Sequence, residues 1–144
     1  MEKKGGSCLE INQEKLVEEA LCARQRAYVP YSHFAVGAAL LCGDGTLYHG
    51  ANIECASYPG TNCAERTAVF KAVSEGRRDF AAIAVVGGPE GQEPASICPP
   101  CGICRQVLRE FCQDSFPVIL SDGQEIKTYT LGELLPCSFG PENL

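Results

Sequence analysis

Hydrophobic positions along this chain follow two patterns, one of helical period and one of unbroken apolar runs. From about Gln13 to Ala27, the positions Leu16, Val17, Ala20, Leu21, Arg24 and Ala27 recur at helical spacing, apolar apart from one arginine. Asn12 stands where an N-cap belongs, and Val29-Pro30-Tyr31 ends the helix because proline cannot continue it. Phe34 to Cys42 is a continuous apolar run of strand length, followed by the turn signal Gly43-Asp44-Gly45 and a return strand from Thr46 to Ala51. After a loop with Pro59-Gly60, a helix is predicted from about Cys63 to Glu75, stopped by Gly76. Phe80 to Gly87 reads as a buried strand, and residues 88–99, rich in proline and glycine, as a loop. A third helix runs from about Cys101 to Gln113. Pro117 to Ser121 and Gln124 to Tyr129 are strands about an Asp122-Gly123 turn, and Thr130 caps a short helix through Leu135.

That alternation predicts an α/β fold. Right-handed crossovers put the second and third helices on one face of the sheet, with their N-termini at the carboxyl ends of strands, where such folds place ligands. Residues 1–11 carry no pattern and read as a loose leader. At 144 residues, with no internal repeat, 1–144 reads as a single domain.

Composition removes several function classes. The net charge is −6, and no Lys/Arg cluster exceeds Arg77-Arg78, so the chain lacks the basic stripe with which proteins neutralise polynucleotide phosphates. The run from Phe34 to Cys42 is too short to span a bilayer. Met1 to Gly6 lacks the apolar segment of a secretory signal. The expected location is therefore the cytosol or the nucleus, where thiols stay reduced, and the 10 cysteines do not read as a disulfide framework.

Three of those cysteines sit in a metal-binding pattern. Cys101 and Cys104, three apart at a helix start, share a face. Together with Cys63 they offer three soft ligands, and three protein ligands leave a fourth position on zinc open for water, the catalytic arrangement. Glu65 is a proton carrier beside that water. The Cys-x-Glu spacing suits the task only if Cys63 lies at the cap or first position of its helix, because residues two apart otherwise diverge. Other readings stay open here. Asn62 with Glu65 three residues on resembles a capping box, which would make Glu65 a helix cap. Cys98 could close a structural four-cysteine site. Cys101-x-x-Cys104 could be a thiol redox pair, or the start of an iron–sulfur run. Three thiolates on Zn²⁺ leave an excess negative charge, which Arg66 is placed to offset.

Cys63-Ala64-Glu65 with Pro100-Cys101-x-x-Cys104 resembles the zinc-dependent cytidine deaminase family. The resemblance extends through Tyr31 to Ala39, Asn52-Ile53-Glu54, Asn62 to Arg66, Pro100 to Gln106 and Ser138-Phe139-Gly140-Pro141. It implies a five-stranded mixed sheet sandwiched between helices in three α/β/α layers. It also implies one Zn²⁺ per chain and hydrolytic deamination of cytidine and deoxycytidine in pyrimidine salvage. By the same resemblance, Asn52 and Glu54 bind sugar hydroxyls, Phe34 lines the pocket, and the Ala64 N–H meets the pyrimidine carbonyl. Arg66 bonds a thiolate, and Tyr31 and Tyr58 lie near subunit contacts. Phe139 stacks on the base from a neighbouring subunit of a homotetramer. A small-molecule nucleoside is then the partner, with no nucleic acid and no membrane. His33 and His49 belong to no ligand motif. Cys55 stands where the family often has asparagine and Pro99 where it often has serine. Blasticidin S deaminase shares the core motifs.

Overall fold

The computed structural model describes residues 9–144. It contains β1 (Phe34–Cys42), β2 (Leu47–Ala51), β3 (Phe80–Pro89), β4 (Pro117–Ser121) and β5 (Ile126–Thr130), with helices α1 (Gln13–Arg24), α2 (Ala64–Ser74), α3 (Gly102–Phe111) and α4 (Leu131–Leu134). The strands form one sheet in the order β2-β1-β3-β4-β5. The β3–β4 pair is parallel and the other pairs are antiparallel, so the sheet is mixed as expected.

The central strands read as unbroken apolar runs because both faces are covered. Alternate residues of each strand serve opposite layers. Ala38, Leu40, Ile83, Val85, Val118 and Leu120 face one core with Ala64, Ala68, Val69 and Ala72 of α2 and Leu108 of α3. Ala39, Leu41, Ala82, Ala84, Val86 and Ile119 face the other, with Leu16, Val17 and Ala20 of α1. The result is three layers, α2 and α3 on one side and α1 on the other. Residues 1–8 of the expected loose leader lie outside the described residues, whereas Leu9 and Ile11 already rest on the α1-side core.

Small residues set the helix–sheet spacing. A Cβ on Gly37 would sit 2.1 Å from the Ala20 carbonyl oxygen, and one on Gly50 would sit 2.1 Å from that of Ala64. Glycine at 50 lets the first turn of α2 lie directly on β2.

Helix ends follow local chemistry. The Asn12 side chain accepts from the Lys15 N–H, and Thr130 and Glu133 form a reciprocal capping box. α1 stops at Arg24, short of Ala27, and its last turn tightens through Arg26 N to Ala23 O and Ala27 N to Arg24 O. The reason lies in Arg24, which is 6% exposed. Its guanidinium donates to the carbonyls of Ala35, Pro89 and Gln92, tying the helix end to β1 and to the end of β3.

β2 and β3 are each antiparallel to β1, which lies between them, so they run in the same direction. The helices that follow them, α2 and α3, therefore both start at the same edge of the sheet. That edge carries the site.

Candidate active site

Cys63 is the N-cap of α2 (φ −75°, ψ 157°) and Cys101 the N-cap of α3 (φ −68°, ψ 170°). Both backbones are extended rather than helical, which is the condition the Cys-x-Glu spacing requires. Asn62 is not the cap. Its N–H and C=O pair with Ile53 in an isolated antiparallel bridge, and its side chain donates to Thr67 Oγ1. Glu65 is thereby freed from the capping-box role and lies in the first turn of α2, 4% exposed.

The Sγ atoms of Cys63, Cys101 and Cys104 lie within 4.8 Å of one another, and those of Cys63 and Cys101 are 3.8 Å apart. Three sulfurs each about 2.3 Å from one tetrahedral zinc would be spaced about 3.8 Å apart. Cys98 stays outside the group. Arg66, one turn along α2, donates from Nη2 to Cys63 Sγ at 3.2 Å. Its Nε is buried with no acceptor among the described residues. Spacing, donor chemistry and the adjacent cation all fit Zn²⁺.

The electrostatics agree. The neighbouring Cys104 thiol and the Arg66 guanidinium pull Cys63 down to about 5 against desolvation. Its hydrogen bond to Cys63 and its own burial push Cys104 up. Desolvation raises Glu65 to about 7, with the Cys63 charge adding to the shift. A divalent cation on the sulfurs would draw that carboxyl back toward its ionised form. Burial pushes Cys98 up to about 11, as suits a packed thiol.

The remaining predicted residues have differing commitments. Asn52 Oδ1 accepts from the Val36 N–H at 2.9 Å, and its Nδ2 donates to Phe34 O at 2.9 Å, leaving one donor and one lone pair unused. Glu54 Oε1 accepts the N–H groups of Tyr31 and Ser32, and Oε2 accepts the Ser32 hydroxyl. These bonds, led by that of the Ser32 hydroxyl, lower its pKa and keep it a carboxylate. Ala64 is fully buried at the start of α2. Phe34, Tyr31, Tyr58 and Phe139 are 40%, 49%, 71% and 58% exposed, and the Tyr31 and Tyr58 rings meet edge to face at 5.9 Å. His33 pairs with Glu90 and His49 with Glu19, and neither belongs to the cysteine group.

Sequence reasoning missed two supports. Ser32 orients Glu54 through its hydroxyl and its N–H. Arg105 donates from Nε to Pro100 O at 2.7 Å and from Nη1 to Leu134 O at 2.6 Å, fixing the approach to Cys101. The signal for Arg105 was its place directly after a ligand, as Arg66 follows Glu65. For Ser32 there was none, since its contact spans 22 residues.

Such a metal-ready triad of cysteines, with a buried carboxylate at the carboxyl edge of a mixed sheet, defines a zinc-binding deaminase. Residues 10–120 match the family described as the cytidine and deoxycytidylate deaminase zinc-binding region. The chain is 57% identical over 135 residues to a cytidine deaminase of Sporosarcina psychrophila, covering 93% of this chain and 96% of that protein. It is 53% identical over 135 residues to one of Halalkalibacterium halodurans, covering 93% and 98%. The crystal structure of the Burkholderia pseudomallei cytidine deaminase superposes with a TM-score of 0.82 at 45% identity, over 90% of this chain and all of that one. The chain belongs to the cytidine deaminase family.

Proposed function

We propose that this protein catalyses hydrolytic deamination of cytidine and deoxycytidine to uridine and deoxyuridine with release of ammonia. The observation that carries the proposal is the buried Glu65 carboxyl beside three cysteine sulfurs at metal-ligand spacing. Cys63, Cys101 and Cys104 would hold one Zn²⁺, which supplies Lewis acidity that makes water a nucleophile near neutral pH. Arg66 holds Cys63 in its thiolate form and offsets the surplus negative charge. Glu65 takes one proton from the attacking water and passes it to N3 of the base. It then takes the second from the oxygen newly bonded to C4 and gives it to the amine, which leaves as ammonia as the C4–N bond breaks. Its burial excludes bulk water from that exchange. The Ala64 N–H, near the positive end of α2, donates to the pyrimidine carbonyl. Asn52 and Glu54, already oriented by backbone contacts, take the sugar hydroxyls with their unused hydrogen-bonding capacity.

The same reading assigns Phe34 to the wall of the nucleoside site and Phe139 to stacking on the base bound by a neighbouring chain. The solvent exposure of Phe139, Tyr31 and Tyr58 in one chain supports a homotetramer in which neighbours complete each site. One domain spanning 1–144 carries each site. A reducing compartment, the cytoplasm or the nucleus, suits it, since the nine described cysteines are all free.

The experiment is a single preparation assayed for zinc and for the ultraviolet absorbance change with cytidine, deoxycytidine and blasticidin S. Turnover of both nucleosides by zinc-loaded protein is expected. Turnover of blasticidin S alone would replace the substrate assignment.

A further inference from the structure

The tail that follows α4 is fastened to the helix that bears two of the cysteines. Cys137 adopts a φ of 53°, unusual for a residue other than glycine, and there the chain turns from α4 toward α3. Gln106 Nε2 then donates to the Phe139 carbonyl at 2.8 Å. Arg109 Nε donates to Ser138 Oγ at 2.8 Å, and its Nη2 to the Glu142 carboxylate. Gly140 is buried under that guanidinium, since a Cβ there would lie 2.6 Å from Arg109 Cζ. Its N–H donates to Asn143 Oδ1 at 2.8 Å. The Arg109 side chain, bonded to Ser138 and Glu142 on either side of Phe139, is 14% exposed, whereas Phe139 itself is 58% exposed.

A structural tail normally buries its aromatic ring and leaves its charges outside. Here the Arg109 guanidinium is the enclosed part, while the Phe139 ring stands free and Gln106 and Glu142 hold the tail from the surface. We propose that Gln106 and Arg109 are positioning residues that hold residues 138–142 in one conformation, so that the Phe139 ring reaches the nucleoside site of a neighbouring subunit already ordered. This rests on the reading of Phe139 given above. Gln106 and Arg109 lie three apart on α3 and share a face. A ring on a loose tail would have to be ordered at each binding event, and prior ordering removes that cost. Because Cys101 and Cys104 belong to the same helix, α3 sets its own metal site and presents the ring to the next.

The chain has no tryptophan, so Phe139→Trp introduces the only indole. Its fluorescence anisotropy should be high in the assembled protein and fall when Arg109→Met or Gln106→Ala is added. In kinetics on the zinc-loaded protein, Arg109→Met should raise KM for cytidine about three- to tenfold, the range expected of a lost aromatic stack, with kcat little changed. The double variant Arg109→Met/Phe139→Ala should be no worse than Phe139→Ala alone, since both act through one contact. Arg109→Lys should recover part of the KM. Unchanged anisotropy, or additive losses in the double variant, would overturn the proposal. Should Arg109→Met fail to fold, Glu142→Gln and Gln106→Ala each remove a single contact and give the same readings. A normal KM in Phe139→Ala would instead overturn the stacking role of Phe139, while the anisotropy would still report on the clamp.

Discussion

Cys63 and Cys101 occupy the N-caps of two different helices with their sulfurs 3.8 Å apart. Cap geometry gives each thiolate the free N–H groups and positive end of its helix, and the shared sheet edge gives the proximity. This predicts one zinc per chain by metal analysis. Cys104→Ala should lose it, and Cys98→Ala should keep both metal and activity. If zinc is present at 100 times its Kd, binding contributes about 2.7 kcal/mol. Chelation should then lower Tm by roughly 5–10 °C in a chain of this size. Loss of metal in the Cys98→Ala protein would restore the four-cysteine reading.

Arg66 places a formal positive charge against the cluster, its Nη2 3.2 Å from Cys63 Sγ. A hydrogen bond to a charged group contributes about 1.5–3 kcal/mol. Arg66→Gln should therefore retain zinc but lose roughly ten- to hundredfold in kcat/KM for cytidine. An undiminished rate would mean that the thiolates need no offsetting charge.

The start of α2 depends on a glycine in the sheet. Gly50→Ala would drive a methyl to 2.1 Å from the Ala64 carbonyl and 2.6 Å from the Ala68 nitrogen, both backbone atoms. Overpacking of this kind costs about 1–3 kcal/mol. Because the strained helix carries Cys63 and Glu65, thermal stability and kcat should fall together. Wild-type stability in this variant would contradict the close packing of β2 on α2.

Substrate size follows from Glu54. Its contacts with Ser32 and Tyr31 keep it ionised, so the sugar site proposed above would be anionic, with no phosphate-binding glycine loop or arginine cluster in the sequence to compensate. A 5′-phosphate meets like-charge repulsion there, increasingly so as water is excluded. Free cytosine leaves Asn52 and Glu54 without their sugar partners. The values of kcat/KM should rank cytidine well above both cytidine 5′-monophosphate and cytosine. Equal values for cytidine and its monophosphate would require another role for Glu54.

Local chemistry was legible in the sequence where it acts over short distances. The run from Phe34 to Cys42 is β1 to the residue, Asn12 and Thr130 cap their helices, and Cys101-x-x-Cys104 opens α3. Long-range partners were not legible. Asn62 reads as a helix cap beside Glu65, yet its bridge to Ile53 holds it extended and passes the cap to Cys63. Arg24 reads as a polar flaw in an apolar stripe, yet three carbonyls from residues 35, 89 and 92 make it a buried tie. The hold of Gln106 and Arg109 on the tail likewise joins residues about 30 apart, which no local pattern encodes. β5 starts at Ile126 rather than Gln124, because Asp122 accepts the N–H groups of Gln124 and Glu125 and extends the turn.

The central claim is that Glu65 carries the proton for cytidine deamination at a three-cysteine zinc site. It is tested most directly by measuring cytidine turnover in zinc-loaded Glu65→Gln protein, with metal content and Tm determined on the same sample. The amide is nearly isosteric but cannot shuttle a proton, so kcat should fall by at least about 10²–10⁴ with zinc and fold retained. Turnover close to wild type with full zinc occupancy would contradict the account.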